Sequence, residues 1–269
     1  MAWLDVKQFS VRACVASLKV RARSTGWHKP PPLMTLHPTA AYGLVTAHET
    51  LGRDSLERIL HEARGAVCFE HCVFDAEDLS GLNLRGVAFT ACSFAEASLE
   101  KANLSDTHWR RCRAPLADFG LADLSDARFE TCDLNNSTWT RSRLASATFT
   151  EVKLTGASFS DAKALGMRLK SCLLVSADLR GLSFRKQVLE GLNLTGADLG
   201  GCDFTEAVFE GGTLSGANLK NAKFQGADLR LVELGPLDIA TAALHLKGSF
   251  MSPEQAAALV SGLGIQVVP

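Results

Sequence analysis

The cysteines are the side chains of this 269-residue sequence that are best suited to chemistry, and several of them recur at a fixed interval. Cys72, Cys92, Cys112 and Cys132 follow one another every twenty residues, and six of the eight cysteines occupy the same position of a repeat described below. Thiolates bind metals and exchange disulfides. A zinc site, however, needs a tetrahedral cluster of ligands, and cysteines at equal intervals of twenty residues do not indicate one. Since free cysteine also behaves as a small buried hydrophobe, we interpret the column as core and predict no metal and no cofactor.

The other reactive side chains do not form a recognisable catalytic set. The sequence has no phosphate-binding glycine loop, no nucleophile elbow and no His-Glu metal motif. No histidine stands in a pattern with a recurrent acid and nucleophile, as a catalytic triad would require. The histidines are His28, His37, His48, His61, His71, His108 and His245. We therefore predict a protein that is not an enzyme.

The elements that hold these side chains have a period of five residues, which matches neither an α-helix nor a single strand. From Phe69 to Leu234 every fifth residue is a central site, and the register never slips over thirty-four sites. Thirty are Leu or Phe, two are Trp, and two are Ala (Ala114 and Ala164). A second column, two residues earlier, holds mainly Ala, Cys and other small or modest apolar residues. Such a unit fits one short side of a coil, with both columns pointing inward and polar residues forming the turn.

Units such as Ala177-Asp178-Leu179 and Cys202-Asp203-Phe204 resemble the signature of pentapeptide-repeat proteins. The resemblance covers about residues 66–235. It implies an all-β solenoid, namely a right-handed parallel quadrilateral β-helix of pentapeptide repeats with four units per turn, so that residues twenty apart stack. The predicted core then includes the cysteine column together with Phe69, Phe89, Trp109, Phe129, Phe149, Leu144, Phe184, Phe204 and Phe224.

The sequence on both sides of the repeat predicts short helical caps, because an open terminal coil is an exposed sheet edge. Residues 1–65 are an irregular, basic N-terminal extension with a helix predicted near 54–64. Residues 236–269 are a C-terminal cap, in which Ser252, Pro253 and Gln255 indicate the start of a helix near 253–263. This tail is similar to the C-terminal helix of some pentapeptide-repeat proteins that forms a dimer contact. The resemblance thus implies capping together with a homodimer contact.

Two outward-facing features make up the candidate interaction surface. Its residues are Asp78, Asp118, Asp178, Asp198, Leu116 and Leu121. The four aspartates precede the central residue of one predicted face and form an acidic stripe. At Ala114-Pro115 the repeat breaks, since Ala replaces the large core residue and Pro lacks a backbone donor. The two leucines near this break then lie outward, and we interpret the break either as a local bulge or as an apolar contact patch.

Composition restricts the function classes further. Lys and Arg total 28 against 29 Asp and Glu, and this net charge of −1 argues against direct nucleic-acid binding. No apolar run reaches the length of a membrane span. Acidic and basic residues interrupt any signal-peptide core near the start, so we expect a cytoplasmic protein.

The resemblance implies two functions that the sequence leaves open. The first is a non-enzymatic protein-interaction scaffold that presents the faces of a rigid β-helix to a protein partner. Some family members are secreted bacterial effectors or accompany secretion systems, so a secreted protein is compatible with this function. The second is a DNA mimic that binds DNA gyrase or topoisomerase IV and protects it from quinolones or natural-product toxins. The mixed surface charge favours the scaffold, because DNA mimicry requires a strongly acidic face.

Overall fold

The computed structural model describes residues 44–63 and 65–268, and most of the predicted N-terminal extension lies outside them. Nine strands form one parallel sheet in which the spatial order follows the sequence order. The strands are β1 (Leu44–Ala47), β2 (Val67–Glu70), β3 (Ala88–Thr90), β4 (His108–Arg110), β5 (Arg128–Glu130), β6 (Thr148–Thr150), β7 (Arg168–Lys170), β8 (Val188–Glu190) and β9 (Val208–Glu210). The helices are α1 (Arg53–Glu62), α2 (Ile239–His245) and α3 (Pro253–Ser261).

The chain coils because each five-residue unit ends in a corner. Every fifth residue from His71 to Gly226 has a positive φ, which gives thirty-two left-handed corners. On one side of the coil, strands pair at an interval of twenty, as Phe69 pairs with Phe89. The other three sides pair through single bridges at the same interval, for example Asp123 with Arg143. Four units therefore complete one turn, and this confirms the predicted right-handed parallel quadrilateral β-helix.

Large side chains fill the interior in columns. The first column is Phe69, Phe89, Trp109, Phe129 and Phe149, whose neighbouring ring centroids lie 4.5 to 5.6 Å apart. The second column is Phe184, Phe204 and Phe224, with separations of 5.3 and 4.9 Å. Leu144 is fully buried as well. Since aromatic pairs at these distances attract beyond their buried area, the columns stabilise the stacking of coil on coil.

The N-terminal end of the coil begins before the repeat does. Strand β1 pairs with β2 and adds one rung upstream of residue 66. Helix α1 follows this rung, and Arg53 at its start donates from Nη1 to the backbone carbonyls of Asp78 and Ser80 at 3.1 and 3.0 Å. Those carbonyls belong to the first repeat coil, which has no preceding unit on that side. The guanidinium therefore supplies donors that a missing coil would otherwise provide.

The C-terminal end is closed in the same way. Residues 248–250 form a last rung, in which the Phe250 N–H donates to the Ala227 carbonyl at 2.8 Å. Helix α3 then begins with a capping box between Ser252 and Gln255. The Gln255 side chain also donates from Nε2 to the carbonyls of Leu229 and Val232 at 2.8 and 2.7 Å. One side chain thus caps the helix and the exposed edge of the coil together.

Candidate interaction surface

The cysteine column lies inside the coil and its thiols are bonded to the backbone. Cys92 donates from Sγ to the Phe69 carbonyl at 3.3 Å, which belongs to the preceding coil. Cys112 and Cys132 repeat this contact one and two coils later, at 3.4 and 3.5 Å. Cysteine therefore suits this position because it is small, apolar and still able to donate a weak hydrogen bond to a buried carbonyl.

Burial favours the protonated state of two thiols in the column of small residues, Cys172 and Cys202. Desolvation raises the pKa of Cys172 to about 11 and that of Cys202 to about 12. A thiol of this kind is a poor nucleophile and a poor metal ligand at neutral pH. Within the described residues, no group of three or more His, Cys, Asp or Glu side chains is arranged to hold a metal ion. The thiols of the column are thus buried and contact backbone carbonyls inside the coil.

Two buried tryptophans need a hydrogen-bond acceptor for the indole N–H, and these acceptors were not predicted from the sequence. Trp109 donates from Nε1 to Thr107 Oγ1 at 3.0 Å, and Trp139 donates to Ser137 Oγ at 2.8 Å. Each hydroxyl donates in turn to a backbone carbonyl three residues before it, at 2.6 Å. The signal was present in the sequence, since both tryptophans of the repeat have Thr or Ser, instead of Ala or Cys, two residues earlier.

The predicted acidic stripe lies along one side of the coil. Bridges join Asp78, Ser98, Asp118, Thr138, Ser158, Asp178, Asp198 and Asn218 into one column. In each of the four aspartates, Oδ1 accepts a hydrogen bond from the backbone N–H two residues later, at 2.8 to 3.2 Å. This contact is the Asx turn, which explains why Asp or Asn so often precedes a central residue. The carboxylates therefore have a role in the local turn, independent of any partner.

Cations and neutral side chains interrupt the stripe. Arg180 Nη2 lies 2.7 Å from Asp178 Oδ2, and Arg180 Nε lies 3.7 Å from Asp198 Oδ2. The hydrogen bond from the Arg180 side chain lowers the pKa of Asp178. Arg53 Nη1 approaches Asp78 Oδ1 to 4.0 Å. Among the residues that the structure describes, Asp118 is the one aspartate of the column without an ion pair.

Leu116 and Leu121 lie on the two corners that flank Asp118. Both are in the left-handed region, with φ of 60° and 59°. Their exposed fractions are 57% and 38%. The other left-handed corners of the coil carry Gly, Ala, His or polar and charged residues. The backbone therefore follows the regular corner conformation at Leu116 and Leu121, and both apolar side chains are exposed.

The two central sites that carry alanine differ in their packing. Ala114 is fully buried, and the Trp109 ring lies 4.8 Å from Phe94 and 6.0 Å from Phe119 in the neighbouring columns. The indole of Trp109 thus packs against rings close to this site, which contains no large side chain of its own. Ala164 is partly exposed, whereas the other thirty-three central sites are all buried. The site of one alanine is therefore closed to solvent, whereas the site of the other is partly open.

Models of pentapeptide-repeat families match most of this coil. A model described as a pentapeptide repeat region matches residues 65–139, and one described as pentapeptide repeats in eight copies matches residues 122–161, 168–205 and 201–234. Together these matches cover more than half of the chain. The chain belongs to the pentapeptide-repeat family. Members of this family are β-solenoid scaffolds and are not known as enzymes.

Solved pentapeptide-repeat structures resemble the chain over most of its length. A trypsin-treated variant of QnrB1, a plasmid-mediated fluoroquinolone resistance protein, is 24% identical and has a TM-score of 0.50, covering 84% of this chain and 99% of that chain. HetL, a pentapeptide repeat protein involved in heterocyst differentiation regulation from the cyanobacterium Nostoc sp. strain PCC 7120, is 20% identical with a TM-score of 0.29, covering 68% and 96%. Among curated proteins, no sequence matches this chain. The similarity to QnrB1 shows a shared fold.

The C-terminal end of the pentapeptide-repeat coil exposes a group of apolar side chains. Its members are Leu231, Ile239, Leu244, Phe250, Leu263, Ile265, Val267 and Val268. They come from the last coil, from helix α2 and from the segments around α3, and we call them the C-terminal apolar group. None of the helices in the described residues is long and apolar enough to span a membrane. Exposed apolar side chains gathered at one end are typical of a surface that contacts another protein.

Proposed function

We propose that this pentapeptide-repeat protein is a non-enzymatic interaction scaffold, which presents the outward faces of its rigid coil to a protein partner. The observation that supports this function is the exposure of Leu116 and Leu121 in left-handed corners. A non-glycine residue in this conformation costs about 1–2 kcal/mol. In the folded chain Leu116 remains 57% exposed and Leu121 remains 38% exposed. A partner that covers them would gain hydrophobic free energy from both side chains.

The surface formed by Leu116, Asp118 and Leu121 has the composition of a small binding site. Its two apolar side chains flank one carboxylate that has no ion pair within 4.0 Å in the described residues. The coil beneath is rigid, because its backbone hydrogen bonds continue on both sides, as from Leu116 N–H to the Asn135 carbonyl at 3.0 Å. Rigid sites lose little conformational entropy when they bind.

Quantitative affinity capture tests this function with a variant pair that the repeat itself provides. In Leu116→Gly/Leu121→Gly, both corner side chains are removed, and glycine suits the left-handed corner. The control, Glu96→Gly/Lys101→Gly, changes the same two corners one coil earlier. We expect a partner that the wild type and the control retain and that the leucine variant loses. Equal recovery of every captured protein by the two variants would contradict an interaction at this surface.

We propose in addition that the C-terminal apolar group forms a homodimer contact. Leu244 is the most suitable residue to change, because its side chain is largely exposed on helix α2 and its replacement disturbs no core contact. Sedimentation velocity of the wild type should show a dimer, and Leu244→Glu should shift it to monomer. A monomeric wild type at micromolar concentration would rule out this contact.

The aspartate column favours a second candidate, a DNA mimic that binds DNA gyrase or topoisomerase IV. A DNA mimic needs closely spaced negative charge, as on a phosphate backbone. In this column, however, neutral residues separate Asp78, Asp118 and Asp178, and the two adjacent carboxylates, Asp178 and Asp198, both contact Arg180. A gyrase supercoiling assay, with and without ciprofloxacin, distinguishes the candidates. We expect no effect of the protein, and inhibition or relief of the drug would support the DNA mimic instead.

A further inference from the structure

Ala164 lies in a surface depression of about 1090 Å³ that is lined by residues of several coils. It lies where the face that carries Ala164 meets the strand face around β7. In this column the neighbours of Ala164, one coil before and one coil after, are Leu144 and Phe184, and both are buried. Because the central side chain between them is a single methyl group, solvent reaches a position that the coil otherwise fills. We call this depression the Ala164 notch.

An apolar rim accompanies the notch. Leu165, directly after the opening, is 86% exposed, which is the largest exposed fraction among the large apolar side chains of the described residues. Ala162 lines the notch and is half-buried, and Leu182 lies beside it in the wall. A solitary exposed leucine is ordinary on a protein surface. Leu165, however, lies next to a recess lined by apolar side chains. An apolar side chain from another molecule can pack between the leucine and the recess.

Positive charge surrounds the same notch. Its lining includes Arg128, Lys163, Arg168 and Arg185, against a single acidic residue, Asp126. Arg185 lies 3.2 Å from Glu206, whereas the other three cations make no ion pair within 4.0 Å in the part of the chain that the structure describes. In the stack, Arg128 and Arg168 are two coils apart with Thr148 between them. At a strand spacing of about 4.8 Å, these two positions are separated by roughly 10 Å.

The charge decides which occupant fits. Residues 1–43 carry six Lys or Arg and one Asp, so this segment has the same sign of charge as the notch and lacks the complementary charge. A nucleic acid would match the charge, but none of the described residues that line the notch is aromatic, so there is no platform on which a base could stack. A peptide with acidic residues around one large apolar side chain matches both the cations and the recess.

We infer that the Ala164 notch binds an acidic segment of a partner protein, which inserts one large apolar side chain between Ala164 and Leu165. This inference rests on the proposed scaffold function, for which it names a second contact and the chemistry of its partner. The cations attract the acidic residues and increase the association rate, while the recess selects the apolar side chain. The occupied notch would complete the column between Leu144 and Phe184 with a side chain from another molecule.

Fluorescence anisotropy tests the inference with a labelled oligoglutamate peptide that has one central phenylalanine. In Ala164→Leu, the leucine fills the recess with a residue that the repeat prefers at this position, so the fold is retained while the notch is lost. We expect this variant to weaken binding about ten-fold or more, as the loss of one apolar contact does. A peptide with serine in place of phenylalanine should bind the wild type more weakly by a similar factor. Added salt should weaken the binding of both peptides.

A charge variant keeps the test independent of packing. Lys163→Glu should weaken binding about ten-fold by placing a like charge beside the peptide. Lys153→Glu changes the same repeat position on another face of the coil, away from the notch, and should bind within about two-fold of the wild type. Circular dichroism and the melting temperature establish that each variant is folded. If the wild type and Ala164→Leu bind equally, or if Lys163→Glu and Lys153→Glu behave alike, the inference is wrong.

Two further outcomes separate this inference from the scaffold function. If a single-stranded oligonucleotide binds the notch more tightly than the peptide, the occupant is a nucleic acid and the inference is overturned. If no peptide binds, but capture of a partner still depends on Leu116 and Leu121, the notch inference fails while the scaffold function stands. Peptide binding that depends on Ala164 supports the notch even when the two leucines prove to be dispensable.

Discussion

Replacing Ser137 by alanine should destabilise the coil, although alanine is the commonest residue in that column. Ser137 Oγ accepts the hydrogen bond from Trp139 Nε1 at 2.8 Å, and both residues are buried. The Trp139 ring lies between Phe119 and Phe159, at centroid distances of 4.1 and 5.5 Å. Because these rings hold the indole in place, its N–H cannot turn toward another acceptor. Ser137→Ala therefore leaves a buried donor without a partner.

The magnitude follows from the group that is left unsatisfied. An unpaired buried donor costs about 1–3 kcal/mol, so we expect Ser137→Ala to lower the free energy of unfolding by that amount. Ser142→Ala is the matched control, because Ser142 is equally buried and donates to the Trp139 carbonyl at 2.8 Å without accepting from an indole. Its loss removes one ordinary hydrogen bond and should cost about 0.5–1.5 kcal/mol.

A double-mutant cycle with Trp139→Phe isolates the contact. Phenylalanine keeps a ring in the column but has no N–H, so Ser137→Ala should cost less in that background, with a coupling of about 1–2 kcal/mol. Urea unfolding followed by far-ultraviolet circular dichroism gives the free energies, provided that a second probe shows the same transition. A Ser137→Ala cost no larger than that of Ser142→Ala, together with zero coupling, would refute this reasoning.

Three more predictions concern the core, the cap and the turn. Leu144→Asp buries a charge in a filled interior and should prevent folding, whereas Asp178→Ala removes one turn contact and should lower the melting temperature only slightly; equal melting temperatures would contradict this. Gln255→Ala removes the donor to two carbonyls at the coil end and should cost about 1–3 kcal/mol in urea unfolding, and an unchanged free energy of unfolding would contradict this capping role. The Arg180 side chain lowers the folded pKa of Asp178, so this stabilisation is present above the unfolded pKa of about 3.9 and is lost as pH falls through the lower folded pKa. Melting temperatures of Asp178→Asn should therefore fall less steeply than those of the wild type below about pH 4, and parallel curves would exclude the contribution.

The sequence predicts the coil well because every unit repeats the same local chemistry. Position in the unit determines whether a side chain points inward, as for Phe129, or outward, as for Leu116. The twenty-residue recurrence of cysteines and aromatics then indicates which units stack. Since the register never slips, one inference about a unit applies to all of them. Repeats of this kind make the fold accessible from a single sequence.

Features that depend on contacts between units could not be predicted from the sequence. Strand β1 adds a rung outside the repeat, because backbone pairing at a coil end does not require the repeat pattern. The carboxylates of the acidic stripe accept turn hydrogen bonds, and the sequence gives no measure of how far Arg180 neutralises them. Ala114 and Ala164 look alike in the sequence. The structure shows the first site fully buried and the second partly exposed, a difference that the alanines themselves do not indicate.

Because residues pair at an interval of twenty, the length of this coil can change by whole turns without altering the alignment of the remaining structure. Deleting or duplicating twenty residues removes or adds one complete turn, so every face and both end caps keep their alignment. A change of five residues would instead rotate everything downstream by about a quarter turn and place each column over a different one, since four units complete a turn. Natural variation in length should therefore occur in whole turns, and a shortened or extended version of this protein can be built by the same rule.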